Sequence, residues 1–312
     1  MRGPLALVVT LVWTLVAASP VFAQAWLGPK GEAWFSLTYQ NVNSDSHYQQ
    51  NGAPLNQGSI ESQSVFAELG YGATDRLALR VSIPYVDSKY TGVNAHMYPI
   101  DDGSYHGTFQ DFRFESRYGA IKGDFALTPF VAAIIPSHHY EYFGHAVAGL
   151  DLKQLLVGTG FGKLLSRAYV QGRYSFAFVE KVIGISHNRS DLDLQLGYFL
   201  EPSIQVFATA FGQLTYGGLP LNLPLARATW TAADFHHHVQ LTESDLLSLG
   251  GGVDFQVTRA VDAYATFTAT VTGRNDHNIS PGIGVGFSLG FSPRQVIRSR
   301  VHPGSATSEP QT

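Results

Sequence analysis

Cysteine is absent from the 312 residues. That excludes a disulfide framework, a thiolate metal site and a thiol nucleophile. Charge is scarce: Asp, Glu, Lys and Arg make up 14% of the chain, against about 25% in an ordinary soluble domain. The net charge of −4 and the lack of a basic cluster leave nucleic acid out of the expected partners. Beyond the first segment, no apolar run is long enough to be a membrane helix. If such a chain resides in a membrane it must cross as a closed sheet, because only helices and barrels satisfy every backbone group there. Glycine (32), Phe (20) and Tyr (15) are, by contrast, plentiful.

The amino-terminal segment reads as an export signal. Arg2 is a short positive region, residues 5–18 form an apolar run, and Val21-Phe22-Ala23 is a small-residue cleavage site. The run is too short for an anchoring helix and Pro20 ends it. Residues 1–23 are therefore expected to be removed, leaving a barrel over 24–291 and a polar tail over 292–312, disordered and periplasmic.

The most informative strand is Asp111-Phe-Arg-Phe-Glu-Ser-Arg-Tyr118. In extended chain it places Asp111, Arg113, Glu115 and Arg117 on one face and Phe112, Phe114 and Tyr118 on the other. A soluble sheet would bury the rings, whereas a membrane barrel turns them to lipid and the charges to a polar interior. Eleven further segments of about ten residues have strand character, the length a tilted membrane strand needs. Leu77, Leu79, Val81, Ile83 and Tyr85 alternate with Arg76, Ala78, Arg80 and Ser82; Leu192, Leu194, Leu196 and Tyr198 alternate with Asp191, Asp193, Gln195 and Gly197. The segments at 125–135 and 154–161 cannot be oriented by pattern. Connections alternate between a few residues and longer polar stretches. This predicts an all-β, transmembrane, antiparallel up-and-down barrel of about twelve strands, with short turns at the periplasmic end and long loops outside. Tyr71, Tyr85, Tyr118, Tyr198, Phe255 and Phe291 fall near strand ends, as interfacial girdles do, although strand propensity also favours rings.

Tyr71-Gly-Ala-Thr-Asp-Arg-Leu77 with Val81-Ser-Ile-Pro-Tyr-Val86, and Phe109-Gln-Asp-Phe-Arg-Phe-Glu-Ser-Arg-Tyr118, resemble motifs of the bacterial outer-membrane transporter family named after the meta-cleavage pathway of phenol degradation. Gln110 stands where that family has glycine, and His138 breaks its Pro-small-Gly pattern after Pro136-Ser137. The resemblance implies a porin-like channel for small, aromatic or hydrophobic solutes. It supplies no catalytic residues.

The polar faces direct Glu68, Arg76, Arg80, Asp111, Arg113, Glu115, Arg117, Arg167, Arg173, Asp191, Asp193, Asp254 and Asp262 toward the interior. They form either a charged pore lining or a cross-strand ion-pair network that fills part of the lumen. His96, His106, His138, His139, His145 and His236–His238 read as solvated loop residues, since their spacing does not converge on one metal ion. Asp101, Asp102, Asp234 and Ser137 supply raw material for a rim hydrolase, but nothing pairs a nucleophile with a base and Gly-x-Ser-x-Gly is absent. The loop with Leu219, Leu221, Leu223, Leu225 and Trp230 is too apolar for a solvated connection. It is expected to form a constriction or a hydrophobic entry on the rim. The function expected is passive solute passage, without enzyme activity, cofactor or metal. A structural or adhesive barrel and a membrane-embedded hydrolase are the alternatives. Expected partners are outer-membrane lipid and lipopolysaccharide, small solutes and the barrel-assembly machinery.

Overall fold

The computed structural model describes residues 25–56, 58–93, 100–220 and 229–291. The signal segment and the tail expected at 292–312 lie outside the described residues, as do Leu221, Leu223, Leu225 and His96.

All strands belong to one sheet: β1 (Ala33–Tyr48), β2 (Pro54–Leu55), β3 (Ser59–Gly72), β4 (Leu77–Thr91), β5 (His106–Phe109), β6 (Asp111–Tyr118), β7 (Phe125–Pro136), β8 (Gln154–Leu165), β9 (Ala168–Val179), β10 (His187–Glu201), β11 (Ile204–Gly217), β12 (Asp245–Thr258), β13 (Val261–Arg274) and β14 (His277–Phe291). Every ladder between neighbours in the wall is antiparallel, and β14 returns to pair with β1 from Ala33↔Phe291 to His47↔His277. The sheet is thereby closed. The two-residue β2 caps β1, while β5 and β6 share one position beside β4, so the wall has twelve staves. The break between β5 and β6 has a cause. Pro84 has no N–H to donate to the ladder, and opposite it the Gln110 N–H turns to the Pro84 carbonyl (3.0 Å), leaving a bulge between Ser82↔Arg113 and Tyr85↔Phe109.

The alternation read from sequence becomes two surfaces. Leu79, Ile83 and Tyr85 on β4, Phe114 and Tyr118 on β6, and Leu192, Leu194, Leu196 and Tyr198 on β10 are exposed on the outside. Between them Ser82, Glu115, Arg117 and Asp191 are buried inside. An apolar exterior around a charged interior inverts a soluble barrel and suits surrounding lipid. On β10, Asn188 pairs with Tyr216 on β11 and lies ten residues from Tyr198 (198 − 188). That is roughly 33 Å of strand at about 3.3 Å per residue, or roughly 25 Å in height at a tilt of about 40°, matching the apolar band of a membrane barrel.

Two expectations change. Strands run to 16 residues, longer than a membrane requires, so they extend the wall at the long-loop end. The connection after the eleventh stave, expected to be long, is the turn Asn275-Asp276, because β13 and β14 consume the residues assigned to a loop. The unoriented strands also resolve. Inside, β7 presents Phe130, Ala132 and Ile134 and β8 presents Leu156, and these pack against Leu150 and Leu152 of the 137–153 loop and Leu241 of helix α1 (Ala232–Leu241). Both faces are apolar because one meets lipid and the other is covered by infolded loops.

Candidate functional site

The lumen is layered. At its middle lies a charged belt. Glu115 on β6, its side chain without any exposure, accepts from Arg113 Nη2 (2.6 Å) and Nε (3.1 Å) and from Arg173 Nη2 (2.5 Å) and Nη1 (3.3 Å). Arg117 Nε stands 3.5 Å away. Arg173 belongs to β9, so its bond to Glu115 reaches over β7 and β8. It does so across Phe130, with the guanidinium 3.8 Å from the ring centroid, a cation–π contact. Phe130 can lie flat because Gly158 is beneath it: a Cβ there would fall 2.6 Å from Phe130 Cζ and 2.2 Å from the Tyr174 carbonyl oxygen. Arg80 pairs with Glu68, while Asp191 and Asp193 face the lumen from β10 and Arg189 contacts Asp191 at 3.3 Å.

Below the belt, toward the short-turn end, residues 25–32 cross the mouth. Ala25 is fully buried; its carbonyl accepts from Thr128 Oγ1 (2.6 Å) and its N–H donates to Gln171 Oε1 (3.4 Å). Trp26 Nε1 donates to the Gly123 carbonyl (2.9 Å). Since this segment leads into β1 and is held by β7 and β9, on the far side of the wall, it spans the opening and narrows it.

Above the belt is a chamber of about 720 Å³, enclosed by the 137–153 loop and α1. The loop is fastened by Asp101, whose carboxylate accepts from the N–H groups of His145 (2.9 Å) and Ala146 (3.1 Å), and by the Tyr140 hydroxyl donating to Asp111. The helix begins at Thr231, which forms a capping box with Asp234, and its end is tied by Gln240 Nε2 donating to the Leu150 carbonyl (2.8 Å). Five histidines from separate parts of the chain line the chamber: His47, His145, His187, His238 and His277. His47 and His277 rings lie 4.1 Å apart, and His145 stacks on Tyr90 at 4.4 Å. Burial holds His238 below the ordinary imidazole pKa and pushes the Asp276 carboxyl above the ordinary carboxylate range. Among the described residues no group of three or more His, Cys, Asp or Glu is placed to hold a metal ion.

Of the residues expected inside, Glu68, Arg80, Arg113, Glu115, Arg117, Arg173, Asp191 and Asp193 converge on the belt, Asp111 anchors the loop, and Asp254 and Asp262 are buried near the short-turn end. Arg76 and Arg167 are corrections. Each lies in a turn one residue before its strand begins, so the alternation does not govern it. Arg76 Nη1 donates to the carbonyls of Gly119 (2.8 Å) and Ala120 (3.2 Å), bracing the neighbouring turn, and Arg167 is exposed. His145 and His238 are packed in the chamber rather than solvated. Leu219 is drawn inward, pairing with Thr242 and packing against the apolar cluster of β7 and β8. Trp230 borders the chamber. Sequence pattern did not identify His47, His187, Arg189 or His277; their one signal was inward parity at strand ends that extend further than expected.

The raw material for hydrolysis has other uses. His106 presents the same nitrogen, Nε2, to Asp102 (2.9 Å) and Ser104 (3.3 Å), so the acid does not orient the ring for the serine as a triad requires. Ser137 donates to the Phe109 carbonyl (2.8 Å), so its proton is turned away from His138 Nδ1, which also lies 2.8 Å from its oxygen.

No family model and no curated protein sequence matches the chain. Among solved structures, an outer membrane channel from Pseudomonas putida F1 aligns with a TM-score of 0.67 over 88% of this chain and 100% of that one, at 12% identity. The translocator domain of the autotransporter NalP from Neisseria meningitidis covers 85% of this chain and 90% of its own at 14% identity and TM-score 0.48; the NanC porin covers 81% and 98% at 8% and 0.45. The first likeness shows a shared twelve-stave outer-membrane barrel fold, and the other two are too distant to add to it.

Proposed function

We propose that the protein is an outer-membrane channel through which small solutes, including aromatic or hydrophobic ones, pass passively. The observation that carries this reading is a closed apolar wall around an interior that holds a chamber, a charged belt and a narrowed mouth in turn. The long-loop end faces outward and the short-turn end the periplasm. Glu68, Arg80, Arg113, Glu115, Arg117, Arg173, Asp191 and Asp193 filter solutes electrostatically, and the same ion pairs brace the wall. The segment 25–32 limits the bore. Lipid and lipopolysaccharide surround the barrel, and the assembly machinery inserts it. The reading assigns no catalytic role: Asp101 fastens a loop, Asp234 caps α1 and Ser137 donates to the Phe109 carbonyl.

The test is permeability in liposomes and planar bilayers. The protein is expected to give discrete conductance steps, and deletion of residues 25–31 is expected to enlarge them. Bilayers that stay sealed with both forms would overturn the reading. Lipid or peptide hydrolysis by a sealed protein would favour the enzyme instead.

A further inference from the structure

We propose that the chamber above the charged belt is a recognition site for a compact monocarboxylate with an apolar body. The inference deepens the channel reading and rests on it.

Three observations converge. His187 opens the inner face of β10 and is 5% exposed, and neither of its ring nitrogens has a hydrogen-bond partner. A neutral imidazole offers one N–H donor and one lone pair, and a buried polar group left unmet is costly. A ligand oxygen beside the ring supplies the missing partner. Arg189 is two residues further along the same face, roughly 7 Å away at about 3.3 Å per residue. Its contact with Asp191 runs through Nε. The two terminal amino groups are not spent on that contact, and the planar fork they make matches a carboxylate. Val147, Leu150, Trp230, Phe235 and Val239 also line the chamber and give it an apolar side with two flat rings. Its volume of about 720 Å³ lies within the range of small-molecule sites, about 300–1,000 Å³.

The charges select among anions. Among the described residues that line the chamber Arg189 is the one arginine or lysine, and Asp276 lines it as well. A doubly charged phosphate would therefore meet a carboxylate without a second arginine or lysine among the described lining residues to offset it. A monocarboxylate brings a single charge to the free edge of a guanidinium whose Nε faces Asp191, and leaves the rest of the molecule for the rings. An acid without an apolar body, such as acetate, forgoes the apolar lining.

The experiment is calorimetric titration of the full barrel in detergent micelles at pH 7.5. The probes are phenylacetate, its neutral isostere phenylacetamide, and acetate. Phenylacetate is expected to bind saturably at one site, with the amide and acetate each at least about tenfold weaker. Arg189→Gln should weaken phenylacetate about tenfold and bring it level with the amide, and His187→Leu should weaken it by a smaller factor. Equal binding of acid and amide overturns the proposal, as does an unaltered affinity in Arg189→Gln. So does an absence of saturable binding, which would leave water as the partner of His187. Where Arg189→Gln does not give a heat-modifiable barrel, the comparison of acid with amide on the unaltered protein decides alone. Swelling of liposomes in a small neutral sugar is measured on the same preparation. Flux without acid recognition refutes the site and keeps the channel; recognition without flux does the reverse.

Discussion

Replacing Glu115 by glutamine tests the belt most directly. The substitution keeps the shape and one acceptor oxygen but removes the charge that faces Arg113, Arg117 and Arg173 at 2.6, 3.5 and 2.5 Å. One pair of unit charges about 4 Å apart is worth about 4 kcal/mol at an effective dielectric of about 20. Three arginines share this carboxylate and repel one another, so its loss both cancels attraction and uncovers repulsion. Glu68 and Asp193 absorb part of that change, and water in the lumen screens part. Removing one partner from a buried pair costs about 3–5 kcal/mol, and the lower end of that range is expected here. With a urea slope of about 1–3 kcal/mol per molar, the unfolding midpoint in micelles should fall by roughly 1–3 M. The same change makes the lumen more positive, so the reversal potential in a salt gradient should move toward anion preference. An unchanged midpoint together with an unchanged reversal potential would refute the argument that Glu115 organises the belt.

Deleting residues 25–31 should raise single-channel conductance while leaving the heat-modifiable mobility of the barrel intact, since those residues cross the mouth ahead of β1 and give the ladders only the Gly31 N–H bond to the Gly72 carbonyl. Gly158→Val should destabilise by about 1–3 kcal/mol in urea titration, because the new side chain collides with the Tyr174 carbonyl and displaces Phe130 from beneath Arg173. Acidification should loosen α1. With the pKa of His238 lowered by burial, the undocked helix binds the proton more readily than the docked one, so docking is constant above about pH 6.5 and weakens as pH falls below it. His145, which also faces His238, adds repulsion once charged. Hydrogen exchange over 232–241, corrected for its intrinsic rate, should be faster at pH 5.5 than at 7.5, and His238→Gln should remove most of that difference.

Most of the wall was legible in the sequence. A membrane strand meets a different environment on each face, so Phe114 and Tyr118 against Glu115 and Arg117 leave a period-two record that needs no knowledge of neighbours. Parity cannot report where a strand starts, which is why Arg76 and Arg167 were expected in the lumen and stand in turns. Nor can it orient β7, where Phe130 and Ala132 face inward but meet a folded loop instead of water.

The sequence by itself determined about twelve staves, the outward faces of all but the two at 125–135 and 154–161, and the polar character of the interior, because each follows from alternation within about ten residues. Only the tertiary structure decided that Arg173 reaches Glu115 across two strands, that residues 25–32 cross the mouth, and that His47, His145, His187, His238 and His277 share one chamber. Barrel closure and the infolding of loops bring these groups together from positions up to 230 residues apart (277 − 47). Contacts between such distant positions leave no periodic trace in a single chain.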